Sequence, residues 1–301
     1  MSKSRVLLSS PRADEIKRKK KKVLLRNIIL STLLFVALVF GLSFLSSSEK
    51  ISINEVKVIG TRIINEKDIL EVVDKNISGK YLYLFSKSNS FIYPKNKIYK
   101  NLKNDFTRIE KLSIDIDNVN TLIVTLSERS GSYMWCGDYA PKGAADEGDN
   151  CFFINDNGYI FDKAPYFSGN LYFKYYKPIS QKGNVLGVEV MDSQKFSDTV
   201  RLIEGIKNVG LNPISMAMSS DGDNWFVYLK SAGLNQNPRL VFRYDADLAK
   251  VLEDLTLAMK EEQFKDEIYK NYDTLSYIDL RFKNRVFYKF NSDDSLPDIP
   301  L

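Results

Sequence analysis

The sequence predicts an α+β protein held on a single transmembrane helix, and three patterns point to it. A charge-free apolar core, Ile28–Leu45, lies inside the run Val23–Leu45. Behind it, strand and helix periodicities follow in the order β-α-α-β-β over residues 51–128. From 129 to 290, short runs of alternating polarity are interrupted by two helical patterns, the mark of a second, mostly antiparallel β domain with helices.

The run VLLRNIILSTLLFVALVFGLSFL sets the topology. At 1.5 Å per residue its core spans about 27 Å, close to a hydrocarbon layer about 30 Å thick. Lys17 to Lys22 and Arg26 stand on its N-terminal side and nothing comparable follows, so the positive-inside bias predicts a cytoplasmic N-terminus and an exported bulk. Residues 1–22 show only a small apolar patch at Val6–Leu8 and are expected to be a disordered basic tail. A cleavable signal is the competing reading, but its apolar region is usually only about 7–15 residues long and ends in small residues at the cleavage site. Ser46-Ser47-Ser48-Glu49-Lys50 matches that weakly, so residues 23–45 are expected to be an uncleaved, single-pass anchor in the cytoplasmic (inner) membrane.

Charge narrows the function. The net +5 divides into +8 for residues 1–26, which hold ten Lys and Arg against Asp14 and Glu15, and −3 for the remainder, with 33 against 36. The exported part therefore lacks the basic footprint of a nucleic-acid-binding module, and the tail's charge serves topology and contact with anionic lipid. There is no histidine, which removes Ser-His-Asp and Cys-His nucleophilic systems and His-containing zinc sites. Phosphate-loop, dinucleotide and nucleophile-elbow motifs are also missing from the exported region. No enzyme, cofactor, metal or small-molecule substrate is expected.

The elements follow in order. Ile51–Gly60 alternates with a break at Asn54-Glu55 and predicts a strand ended by Gly60. Asn65 is a candidate N-cap for a helix burying Ile69, Val72 and Val73. Lys80–Phe85 alternates briefly. Pro94 suits the first turn of a helix over Pro94–Asp105, with Ile98 and Leu102 on one face. Ile109–Asp117 and Thr121–Glu128 form an antiparallel hairpin, with an early irregularity in the first strand. Phe152–Phe161 reads as a second hairpin turning at Asn157-Gly158. Ser193 opens a helix bearing Phe196, Val200, Ile203 and Ile206, stopped at Gly210. Trp225–Leu229 and Arg239–Arg243 are strands around a Gly233–Pro238 turn. Asp245 or Asp247 caps a long helix with Leu248, Val251, Leu252, Leu255 and Met259. Ile278–Phe282 and Arg285–Phe290 close the fold before a flexible tail, 291–301.

The β-α-α-β-β order directly outside a membrane helix resembles a POTRA domain. Glu128-Arg129 followed by Trp135, the apolar and acidic hairpin Phe152–Phe161, and Asp279-Leu280-Arg281 near the end, taken in that order, resemble the FtsQ/DivIB family of bacterial cell-division proteins. The resemblance covers residues 23–290. Gly131 and the insertion Gly137–Asn150 depart from it, in loops. It implies a non-enzymatic bitopic scaffold at the division septum that helps regulate septal peptidoglycan synthesis. It also implies docking of small bitopic coiled-coil division proteins along the last strand. A POTRA-bearing translocation or chaperone component, or an envelope hydrolase, is the alternative; the first usually carries tandem repeats or a membrane barrel, and neither pattern is present.

Four groups of residues are candidates for chemistry or binding. Cys136 and Cys151 bracket a polar loop on the exported side, where disulfides persist; a bridge, two free thiols, and a thiolate metal site are the readings in that order. Asp115 and Asp117 share a strand face, as a carboxylate pair would and as the solvated face of a half-buried sheet would; the solvated face is preferred. Ser219–Asp223 loosely evokes a calcium loop but lacks its ligand set, so it reads as a turn. The terminal strand should lie at a sheet edge, open to a partner strand or guarded by Lys283, Arg285 and Lys289. With the resemblance, the partner-binding residues are expected to be Leu280, Phe282, Asn284, Val286 and Tyr288.

Overall fold

The computed structural model describes residues 11–140, 150–167, 170–179, 183–231 and 237–291, residues 11–17 through their backbone alone. The chain divides after Glu128 into two compact units. Parts of three expected features lie outside the described residues: the Gly137–Asn150 insertion, the Gly233–Pro238 turn and the C-terminal tail.

The first unit opens with helix α1 (Pro11–Ser46). Its Arg18–Ser46 stretch is long and apolar enough to cross a membrane and is not covered by protein, which is compatible with a single-pass membrane protein. The expected disorder over residues 1–22 is corrected from Pro11 onward. Lys and Arg are good helix formers, and the apolar turns that follow carry the helix back through them. The C-terminal end of α1 is stitched into the folded unit. Ser43 Oγ donates to the Leu84 carbonyl at 2.6 Å, Ser86 N donates to Ser46 Oγ at 3.2 Å, and Asn89 Nδ2 donates to the Ser46 carbonyl at 3.2 Å.

Strand β1 (Glu55–Ile59) is shorter than its alternation suggested. Glu49–Ile51 make a 3-10 turn, Ser52 bridges Asn89, and the N–H groups of Asn54 and Glu55 both bond to the Asn120 carbonyl. Those partners explain the break at Asn54-Glu55. Gly60 then takes φ +98°, and a Cβ there would lie 1.9 Å from the Leu126 carbonyl oxygen, so no other residue fits without moving the strand. Helix α2 (Glu66–Ile77) is capped by Asn65, whose Oδ1 accepts from Lys67 N at 3.1 Å. The stretch Lys80–Phe85 is not one strand but a small hairpin, β2 (Lys80–Tyr81) and β3 (Phe85–Ser86), because Leu82 and Tyr83 reverse the chain at φ 47° and 63°. In α3 (Lys95–Asp105), Pro94 is the N-cap rather than a residue of the first turn.

Strands β4 (Ile109–Ile116) and β5 (Thr121–Glu128) complete a three-stranded sheet in the order β1-β5-β4. β5 runs parallel to β1 and antiparallel to β4, and the irregularity near Ile109 is a register shift between Ile109 and Lys111. Ile69, Val73, Ile98 and Leu102 from the helices meet Ile109, Ile114, Leu122, Val124 and Leu126 from the sheet in one buried cluster. Each such side chain contributes about 1.5–3 kcal/mol by leaving water. The cluster explains why the helical and period-2 patterns were legible: each presents one stripe to the same core.

The second unit is a nine-stranded sheet in the order β14-β13-β12-β11-β10-β9-β6-β7-β8. The strands are β6 (Tyr133–Trp135), β7 (Phe152–Ile154), β8 (Ile160–Lys163), β9 (Phe173–Tyr176), β10 (Pro213–Met218), β11 (Asn224–Leu229), β12 (Arg239–Arg243), β13 (Leu275–Asp279) and β14 (Phe287–Phe290). The expectation of a mostly antiparallel domain needs qualification, because β6 pairs with β9, β9 with β10, and β12 with β13 in parallel. Two helices were expected, and the described residues hold three: α4 (Ser193–Asn208), α5 (Leu248–Lys260) and α6 (Glu262–Lys270). Asp192 caps α4 and Asp247 caps α5, while Asp245 pairs with Arg243 at 2.9 Å. Gly205 lets α4 and α5 approach closely, since a Cβ there would meet Leu252 at 2.3 Å.

One large core holds this unit together, with Trp225, Tyr175, Phe196, Phe242 and Leu255 among its most buried members. The phenol of Tyr175, pushed up by burial, meets Thr199 Oγ at 3.0 Å. Trp135 Nε1 donates to the Lys177 carbonyl at 2.9 Å, which satisfies a buried indole. In the β7–β8 hairpin only Gly158 takes positive φ, at 82°, where two such residues were expected at Asn157-Gly158. Asn155 makes the turn instead, its Oδ1 accepting from Asn157 N and Tyr159 N.

Candidate functional site

The closing hairpin β13–β14 stands at one end of the nine-stranded order. β14 pairs antiparallel with β13, matching Ile278 to Tyr288 and Asp279 to Phe287, and among the described residues no strand lies beyond it. The opposite margin differs. There the chain leading into β8 is covered by its own chain, with Ile160 N donating to the Val188 carbonyl and Gly187 N to the Ile160 carbonyl, both at 2.9 Å, and Val190 N to the Gly158 carbonyl.

The approach to β14 is built from Asp279-Leu280-Arg281. Asp279 is buried, and its carboxylate accepts from the Arg281 backbone N–H at 3.0 Å and from the guanidinium through Nε at 2.9 Å and an Nη at 2.7 Å. This forked pair fixes the chain just before it reverses. Leu280 N donates to the Val241 carbonyl at 2.7 Å, which ties the segment to β12. The reversal falls at Lys283-Asn284, where Asn284 takes φ 57°, a left-handed conformation that Asn tolerates better than most residues.

The expected binding residues Leu280, Phe282, Asn284, Val286 and Tyr288 lie on both sides of that reversal and differ in their surroundings. The last strand begins at Phe287. Leu280 is buried at 6% exposure and Val286 packs on the main core. Tyr288 turns toward α6, its ring 5.3 Å from that of Phe264 and its hydroxyl donating to Glu267 Oε2 at 2.6 Å. That bond, helped by burial, pushes the phenol up to about 12.

Phe282 and Phe287 remain on the outside. They are 50% and 43% exposed, and their rings meet edge to face at 5.2 Å. Neither ring is part of a buried core cluster of the second unit. Phe287 was not among the expected residues, which were the alternate positions 280, 282, 284, 286 and 288. Of the three cations proposed to guard the edge, Lys289 is buried, whereas Lys283 and Arg285 are exposed on the turn. The charge therefore gathers at the reversal and not along β14.

The other candidates fall away from this edge. Cys136 and Cys151 form a disulfide that ties the end of β6 to the start of β7. Asp115 pairs with Lys95 at 3.0 Å on an exposed surface, and Asp117 lies past the end of β4. The Ser219–Asp223 segment is a turn in which Ser219 Oγ donates to Asp221 and accepts from Asn224 N.

Glu128 and Arg129 have separate roles, each in its own unit. The Glu128 carboxylate accepts from the backbone N–H groups of Arg62 at 2.7 Å, Ile63 at 3.0 Å and Ile64 at 3.0 Å. Burial works against the charged form, but those three donors, with Arg108 nearby, outweigh it and hold the group below the ordinary carboxylate range. The Arg129 guanidinium lies over the Tyr159 ring at 4.4 Å.

A comparison with protein-family models and with curated proteins found no match.

Proposed function

We propose that the chain is a non-enzymatic, single-pass scaffold of the bacterial division machinery, which docks partner proteins on the β14 margin and so helps regulate septal peptidoglycan synthesis. The observation that carries this reading is the contrast between the two ends of the nine-stranded sheet. The start of β8 is covered by residues 187–190, whereas β14 has a neighbour on one side among the described residues and stands beside the exposed Phe282–Phe287 pair. An edge of that kind accepts an added strand through main-chain hydrogen bonds, with the aromatic pair selecting the partner's side chains. The fitting partner is a small bitopic coiled-coil protein whose exported end extends as a strand. The three-stranded sheet β1-β5-β4 with α2 and α3, in the order β-α-α-β-β once the small β2–β3 hairpin is set aside, supports the POTRA-like reading of the first unit.

The stitching of Ser43 and Ser46 into the first unit supports an uncleaved anchor, because cleavage near Ser48 would strip those bonds away. A photo-crosslinking amino acid at Phe287 in growing cells should yield one discrete adduct with a small membrane-anchored protein, and the same probe at Lys163 on β8 should not. Equal adducts at both positions, or none at Phe287, would contradict docking at this edge.

A further inference from the structure

The first unit has a second apolar feature, unconnected with β14. The β2–β3 hairpin turns through Tyr81–Leu84, closed by Leu84 N donating to the Tyr81 carbonyl at 2.9 Å. Its two central residues, Leu82 and Tyr83, both take positive φ. Such a turn ordinarily carries Asn or Gly, since a bulky residue there is strained. This one holds a Leu and a Tyr, 85% and 96% exposed. Phe91, on the neighbouring loop, is 75% exposed. In water this is strain with no compensating contact, an arrangement found where function demands it.

The position of the hairpin along α1 supplies the compensation. Ser43 Oγ bonds the Leu84 carbonyl, and Asn89, two residues before Phe91, bonds Ser46. Ser43 is 17 residues beyond Arg26, the last cation before the apolar core, which places it about 25 Å along the helix. A hydrocarbon layer about 30 Å thick therefore ends near Ser46, and the hairpin lies at the depth of that outer boundary. The hairpin's polar backbone is partly satisfied within the unit, by the Tyr81–Leu84 bond, the Ser43 bond and a bond from Lys87 N to the Gly79 carbonyl. Tyrosine is favoured at this level of a membrane, and Lys80 and Lys87 flank the turn where lipid phosphates would lie.

We propose that the Leu82–Tyr83 turn, with Phe91 beside it, enters the outer interface of the bilayer that holds α1. The first unit is then fastened to lipid at a second point and held in one orientation to the membrane. This rests on the reading of α1 as an uncleaved anchor, and the test separates the two.

The full chain is placed in phosphatidylcholine–phosphatidylglycerol vesicles, with and without lipids brominated high on the acyl chain, as single variants Tyr83→Trp, Phe44→Trp and Ile63→Trp. The native Trp135 and Trp225 are buried and supply a background measured in the parent. Ile63 is an apolar, exposed control tied to the far end of β5 through Glu128. Tyr83→Trp should emit at shorter wavelength than Ile63→Trp and be quenched severalfold more by the bromines, as Phe44→Trp is. Quenching at position 44 without quenching at 83 overturns the proposal and leaves the anchor standing. Absence of quenching at both overturns the anchor and the proposal together.

Discussion

Glu128 shows how much a single residue can do without any visible motif chemistry. Its carboxylate gathers three consecutive backbone N–H groups, an anion nest made by the chain itself rather than by basic side chains. Its folded pKa is depressed, so the stability it contributes is present above the unfolded carboxylate range and lost as pH falls through the folded value. Glu128→Gln should lower the stability of the first unit by about 1 kcal/mol at neutral pH, the carboxylate being partly exposed and screened. The difference from the parent should shrink below a pH of about 4, as followed by urea unfolding across pH. A difference of unchanged size at low pH would mean that packing, not charge, is lost. None of this was legible in the sequence beyond the Glu-Arg pair itself. The partners are backbone groups more than 60 residues away, and backbone N–H groups leave no compositional trace.

At the scale of elements, the sequence was informative where one stripe faces one core and silent where that condition fails. The hairpin β4–β5, helix α4 and the Asn65 cap follow their patterns. Strands β9 and β10 were not anticipated, because FKYY and PISMAM lack a clean polar alternation, and both lie inside the sheet with a parallel partner. The long helix ending near Met259 matches α5, but α6 after Glu261 was not anticipated, because of its residues only Ile268 is buried. The closing hairpin shows the same limit. The two closing strands were read from their alternation, but both are shorter at the turn than expected, β13 ending at Asp279 and β14 starting at Phe287, because the Asp279–Arg281 pair and the left-handed Asn284 take residues 280–286 out of the ladder. The link between β6 and β7 has a measurable consequence, since Cys136 and Cys151 close a loop of 15 residues. Replacing both with Ala should lower stability by about 3 kcal/mol in the loop-entropy account, read from denaturant midpoints with and without reductant. Reductant should lower the midpoint of the parent and leave the variant unchanged; equal midpoints for parent and variant would assign the bridge no weight.

For the molecule as a whole, the claim is a division of labour. In the proposed function, an apolar helix fixes the chain to a membrane and a larger sheet offers one margin to other proteins; in the structure, a small α+β unit is knitted to the end of that helix. The closing strand was legible as an element, but not which of its side chains stay outside, because that depends on where the chain turns. The most direct measurement is the position of a fluorescent fusion of the full chain in dividing cells, compared with its Phe282→Ala, Phe287→Ala double variant at equal abundance. The account predicts a band at the septum for the parent and an even distribution around the envelope for the variant. A parent spread evenly around the envelope would contradict the division role, and a variant retained at the septum at full intensity would contradict docking at β14.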